Sequence, residues 1–182
     1  MKYWILKVSK NGLAVSADVT RDFRQQTLFA DTTAKGGEVE GSLKEDFPFF
    51  AGEPEEIMSR RLAAEILKLD PEGIIVSPMT LKLPDGTLND NWCAITVSAH
   101  VDCIDFDASL LRLDEEDGTV GFIRKMVLDT KKADRAGYEI FRLQDFFPQV
   151  VVSDRLKQAM EAIKPIGIRF ESTDPSEQEA GA

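Results

Sequence analysis

Hydrophobic and polar positions along this chain repeat with two periods, and the points where the period changes mark out its elements. "KYWILKV" (2–8) is dominated by aromatic and branched residues and predicts a first strand. In 54–69, Met58, Leu62 and Ile66 recur every four residues, and Ile57, Ala63 and Leu69 widen the stripe. That spacing predicts an amphipathic helix. Pro54 suits its first position, Glu55 and Glu56 suit its first turn, and Asp70-Pro71 stops it. "GIIVSPMTLKL" (73–83) reads as one strand or two, with Pro78 at an edge or a bulge. "WCAITVSAHVDCIDF" (92–106) reads as one long strand, and 120–129, 138–143 and 150–152 supply others. Near the end, Ser153 is a good helix cap, and Leu156, Ala159, Met160 and Ile163 form a stripe over a helix at 154–164 that Pro165 closes. Ile166, Ile168 and Phe170 then share one face of a strand.

The segments between are polar. Residues 31–46 are Gly-rich and read as a long loop, 84–91 as turn chemistry, and 113–120 as a charged turn. In "FPFFAGEP" (47–54) three phenylalanines beside two prolines would anchor a loop on the core. Short connections favour antiparallel neighbours. The fold class expected is α+β, a mostly antiparallel or mixed sheet with two principal helices at about 54–69 and 154–164. One domain over 1–172 accommodates this; the alternative is an N-terminal subdomain 1–90 and a C-terminal region 91–172. Residues 173–182 have little to bury and are expected to be disordered.

Composition changes the picture in two respects. The chain is 43% hydrophobic and 30% charged over 182 residues, an ordinary globular balance that needs no disulfide or metal staple. Its net charge of −10 makes it a poor partner for nucleic acid, whose phosphates call for a basic face. An acidic surface instead suits a basic protein partner and speeds its docking. No apolar run is long enough to span a membrane, and Lys7 interrupts a first apolar stretch too short for an export signal, so a cytoplasmic protein is expected. In that compartment Cys93 and Cys103 would stay unpaired.

Candidate chemistry is sparse. Cys93, His100 and Cys103 resemble a ligand set, yet on one strand Cys93 and Cys103 share an apolar face with Ile95, Val97, Ala99 and Val101 while His100 points the other way. Zinc needs ligands that converge, so buried free cysteines are expected. Asp102, Asp105 and Asp107 could bind a hard cation, but the EF-hand glycine and closing glutamate are missing, and capping of local N–H groups is the simpler role. Around the single histidine there is no nucleophile motif, and no phosphate-binding loop occurs. Neither a cofactor nor a metal is expected. The acidic run Asp114, Glu115, Glu116 and Asp117 sits at a hairpin tip, where it is either simply solvated or the contact for a basic partner.

From residue 92 to 171 the order of features is more informative. "VDCIDFDAS" (101–109) is followed by the acidic turn, "VGFIRKMVLDTKK" (120–132), "IFRL" (140–143), "VVVSDRLKQAMEA" (150–162) and "GIRFE" (167–171). This series resembles the immunity-protein domain family of bacterial polymorphic toxin systems, whose members end in a Val-Ser-Asp/Glu-x-Leu-Lys helix and a Gly-Val/Ile-x-Phe strand. The resemblance implies a binding protein, without catalytic residues, that docks onto a cognate toxin and blocks it in the cytoplasm. An acidic inhibitor of that kind would suit a toxin with a basic active-site cleft. Two other functions compete: an adaptor or scaffold in a secretion-linked locus, and a small carboxylate-dependent hydrolase. The "KPIG" at 164–167 departs from the simple helix end of that pattern.

Overall fold

A computed structural model of the chain describes residues 1–8, 14–22, 27–34, 46, 49–50, 56–82, 86–114, 118–146 and 149–178. The elements run β1 (Tyr3–Val8), β2 (Ala14–Asp22), β3 (Thr27–Ala34), β4 (Phe49–Phe50), β5 (Glu56–Ser59), α1 (Arg60–Leu69), β6 (Ile74–Lys82), β7 (Leu88–Val97) and β8 (His100–Val101). They continue with β9 (Leu110–Leu113), β10 (Val120–Lys125), α2 (Thr130–Ala136), β11 (Ile140–Leu143), β12 (Val150–Ser153), α3 (Asp154–Ala162), β13 (Ile168–Ser172) and α4 (Pro175–Gln178). The class is α+β with mixed sheets, as expected.

One sheet has the order β13-β1-β12-β11-β8 and the other β4-β2-β3-β6-β7-β5, while β9 and β10 form a separate two-stranded ribbon. Most pairs are antiparallel; β8–β11, β2–β4 and β3–β6 are parallel. The five-stranded sheet is buried on both faces, so its strands send alternate residues into two cores. In β1, Leu6 joins one core and Tyr3 and Ile5 the other; in β12, Val150 and Val152 oppose Val151 in the same way. The first core unites the two sheets through α1 and α3, which pack on each other, α1 against β5, β6 and β7 and α3 against β1 and β12; their Leu62, Ile66, Leu156 and Met160 are fully buried there. The second lies under α2 and the segment leading out of the ribbon, with Met126, Leu128 and Ala133.

Several expectations are corrected. The helix expected from Pro54 begins at Arg60. Glu56–Ser59 is an edge strand pairing with β7, Met58 opposite Cys93, and Ser59 caps the helix by accepting the Leu62 N–H. Pro54 and Glu55 lie outside the described residues. The single strand expected over 92–106 starts earlier, at Leu88 within the expected turn, and breaks at Ser98. There the Ser98 N–H donates to Gly73 O, whereas Ala99 O already accepts from Arg142 N–H of the other sheet. Finally, the region 31–46 read as loop contains the end of β3, and a third helix, α2, was not expected at all. Asp129 caps that helix by accepting the Lys131 and Lys132 N–H groups, and Gly137, at φ 78°, closes it in the left-handed region.

Other expectations match closely. Pro78 sits in β6 just before the register pairs with β3 and beside a bulge at Met79–Leu81, a place where its missing N–H is tolerated. Ser153 caps α3 through Leu156 N–H, and the helix ends at Ala162, just before the positive φ of Lys164. The tail from 173, expected to be disordered, is corrected in its described part: Thr173 is buried and donates to Tyr3 O, and Pro175–Gln178 forms one helical turn.

Candidate functional site

The two cysteines end up in different cores. Cys93 belongs to the inter-sheet core and Cys103 to the core under α2, because the chain changes sheets between them. His100 is exposed on β8, and among the described residues no three metal-ligating side chains come together. Burial pushes the Cys93 thiol up to about 11 and the Cys103 thiol up to about 12, so neither forms a useful thiolate at neutral pH. Both thiols are therefore expected to resist a disulfide reagent at pH 8 in the native protein and to react together once denaturant is added. A fast native reaction would show that one of the cores opens.

The aspartates of "DCIDFD" separate as well. Asp102 is exposed and pairs with Lys132 at 3.1 Å, Asp105 accepts the Ala108 N–H at 3.0 Å in the expected capping role, and Asp107 is exposed. A shallow cavity of about 240 Å³ beside α1 is lined by Ala63, Leu67, Val76, Pro78 and Cys93, with Arg60 as its charged member. It brings together no acid–base pair.

In sequence the acidic run connects the two strands of the ribbon. β9 and β10 pair antiparallel, Arg112 with Phe122 and Leu111 with Ile123, with bulges that accommodate Gly121 and Arg124. Asp114 follows β9; its N–H donates to Thr119 O at 2.7 Å and its O accepts the Gly118 N–H at 3.0 Å, with Gly118 at φ 72°. Glu115, Glu116 and Asp117 lie outside the described residues. Leu111 and Ile123 pack on the core under α2. Below them Ser109 Oγ both donates to Val127 O and accepts Val127 N–H, and Ile104 bridges Leu128. The ribbon is thus tied down at its base on both strands.

Sequence reasoning missed the buried polar groups. Asp46, 4% exposed, accepts from Ser59 Oγ at 2.5 Å, Arg61 Nε at 2.8 Å, Arg61 Nη2 at 2.5 Å and Ile166 N–H at 2.9 Å. Asp70 accepts the Glu139 and Ile140 N–H groups, and Glu139 in turn takes Ser153 and Arg155. Buried Arg142 pairs with Glu56 at 3.0 Å. These groups link elements distant in sequence, so no local spacing announces them. Each satisfies another, and among the described residues no buried side-chain polar atom lacks a partner.

Fold and site together define a small α+β protein whose polar interior, among the described residues, is internally satisfied and which carries a two-stranded ribbon tethered to its core. The chain belongs to the Immunity protein family (Imm11), whose model matches residues 13–175 and so covers β2 onward as well as the C-terminal series. No curated protein matches it. Family membership gives the chain, in general terms, a part in immunity to a toxin and a cognate toxin as partner; such proteins are generally not enzymes. Among the described residues no helix is long and apolar enough to cross a membrane.

Proposed function

We propose that this protein neutralises its cognate toxin by binding it directly, without catalysis, in the cytoplasm where the toxin acts. The observation that carries this reading is the tethered ribbon, whose two strands are joined in sequence by an acidic run, in a chain of net charge −10. Asp114, Glu115, Glu116 and Asp117 are its proposed contacts, and the toxin is expected to offer a basic cleft, since opposite potentials accelerate docking and fix its orientation. We also propose a single domain over 1–172, because β1 lies between β12 and β13 and the inter-sheet core draws on both halves.

Co-expression with the toxin domain encoded beside this gene tests the proposal. Growth should be restored, and in a purified assay inhibition should saturate at one immunity chain per toxin. Protection at far lower ratios would point to catalytic modification of the toxin. Binding without protection would favour an adaptor, and the absence of any toxic neighbour would end the proposal.

A further inference from the structure

On a strand pair with one solvated face, the outward positions are normally polar. The ribbon breaks that rule. On its inner face Leu111 and Ile123 pack on the core and Val120 is buried, while Leu113, opposite Val120 at the turn end, is 44% exposed. Its outward set is Leu110 opposite Lys125 and Arg112 opposite Phe122, and both Leu110 and Phe122 are 57% exposed. A polar residue at either position would cost the fold little, so packing does not account for them. Departures of this kind from a local rule are expected where a surface has a function.

Resting on the toxin-binding reading, we infer that the outward face formed by Leu110, Arg112 and Phe122 is the energetic centre of the toxin interface. The acidic turn beside it steers the approach. The composition fits this assignment: aromatic residues and arginine are enriched at interface centres, and truncating such residues has the largest effects on affinity. An isolated two-stranded hairpin is marginal in water, but this one is fixed by Leu111 and Ile123 and by the paired bonds of Ser109 with Val127. Little ordering is then needed on binding. Charge fixes the occupant. Arg112 and Lys125 lie on the outward face itself, while Asp114 follows β9 and the sequence continues with three more acids, so the complementary toxin surface is an apolar depression with acidic groups opposite Arg112 and Lys125 and basic residues on the side facing Asp114.

The two roles separate kinetically, because rim charges act on association and buried anchors on dissociation. The test measures association and dissociation rates, at several salt concentrations, against the catalytically inactivated toxin domain encoded beside this gene. Leu110→Ser and Phe122→Ser are each expected to speed dissociation about tenfold or more while leaving association nearly unchanged. Phe122→Leu should fall between Phe122→Ser and the wild type. Asp114→Asn should slow association at low salt and lose that effect at high salt. Leu67→Ser, an exposed apolar control beside the α1 cavity, should bind like the wild type. Melting temperatures establish that each variant is folded; if Phe122→Ser melts early, Leu110→Ser and Phe122→Leu decide. Wild-type dissociation rates in both Leu110→Ser and Phe122→Ser overturn the inference, and weakened binding by Leu67→Ser alone moves the centre to α1. A wild-type chain that does not bind the toxin removes the toxin-binding reading itself, a result distinct from either.

Discussion

Replacing Leu156 with aspartate is expected to abolish cooperative folding of the chain. Leu156 is fully buried in the first turn of α3, in the core that joins the two sheets with Leu62, Ile66 and Met160. Truncation there to alanine would by itself cost about 2–5 kcal/mol in lost transfer energy and cavity. Aspartate adds an unpaired carboxylate in an apolar site, which must be desolvated or protonated at a further cost of several kcal/mol. The sum is comparable to the whole stability of an ordinary domain, about 5–15 kcal/mol. Circular dichroism should show no sharp thermal transition for Leu156→Asp, while Leu156→Ala should keep one at a reduced denaturant midpoint. An unchanged melting temperature for Leu156→Asp would mean that α3 does not dock as described. The same variant probes the domain arrangement. If the halves folded separately, a transition belonging to β2, β3, β6 and β7 would survive; a shared core predicts that it is lost as well.

The C-terminal strand–helix–strand was legible in the sequence because its local signals and its tertiary burial agree. Ser153 is a cap by type and by contact, and Leu156 and Met160 are a stripe by spacing and by burial. The start of α1 was misread because Ile57 and Met58 fit a helical stripe as well as an edge strand. Pairing with β7 decides between them, and pairing is a tertiary fact. The break at Ser98 was illegible for a related reason. Val97, Ala99, Val101 and Cys103 keep strict alternation, yet the backbone passes from one sheet to the other between Ser98 and Ala99. Periodicity records which side of the chain is apolar; it does not record which core that side enters. The hairpin of β2 and β3 did leave a trace: Val15, Ala17 and Val19 alternate with Ser16, Asp18 and Thr20, a two-residue period in which the strand formers Val15, Val19 and Thr20 are mixed with Ala17, Ser16 and Asp18. α2 had its Asp129 cap and Gly137 stop, but it lacks a broad stripe, since only Ala133 is buried. Of the candidate site, the acidic turn could be read from composition and the outward Leu110 and Phe122 could not. Phe122 faces out because the bulge at Gly121 resets the alternation after Val120, and whether the face carrying Leu110 is open is a tertiary fact.

Asp46→Ala is expected to produce the second large loss, of about 2–4 kcal/mol at neutral pH. The Asp46 carboxylate holds two distant pieces of chain: the start of α1, through its cap Ser59 and through Arg61 in its first turn, and the turn before β13, through Ile166 N–H. Its backbone adds two more bonds, donating to Ile166 O and accepting from Ser59 N–H. Removing the carboxylate leaves a buried N–H without an acceptor and frees Ser59 Oγ from the bond that orients it toward Leu62 N–H. The cost is moderated because Arg61 is half exposed and can turn to water. The pH dependence separates this role from simple packing. Burial opposes ionisation of Asp46, but the bonds from Arg61, Ser59 and Ile166 and the Arg61 charge outweigh it, so its carboxyl stays below the usual carboxylate range in the folded state. A depressed folded value means that the unfolded chain takes up the proton first as pH falls. The stabilisation is therefore fully present above the ordinary carboxylate value of about 3.9 and is lost as pH falls through the lower folded value. Denaturant midpoints measured from pH 7 down to pH 2 should fall less steeply for Asp46→Ala than for the wild type, starting from a lower value. Asp46→Asn, which keeps the volume and part of the bonding, should lie between the two at pH 7 and share the flatter acid limb. Parallel curves for all three proteins would show that the ionised carboxylate does not hold these segments together.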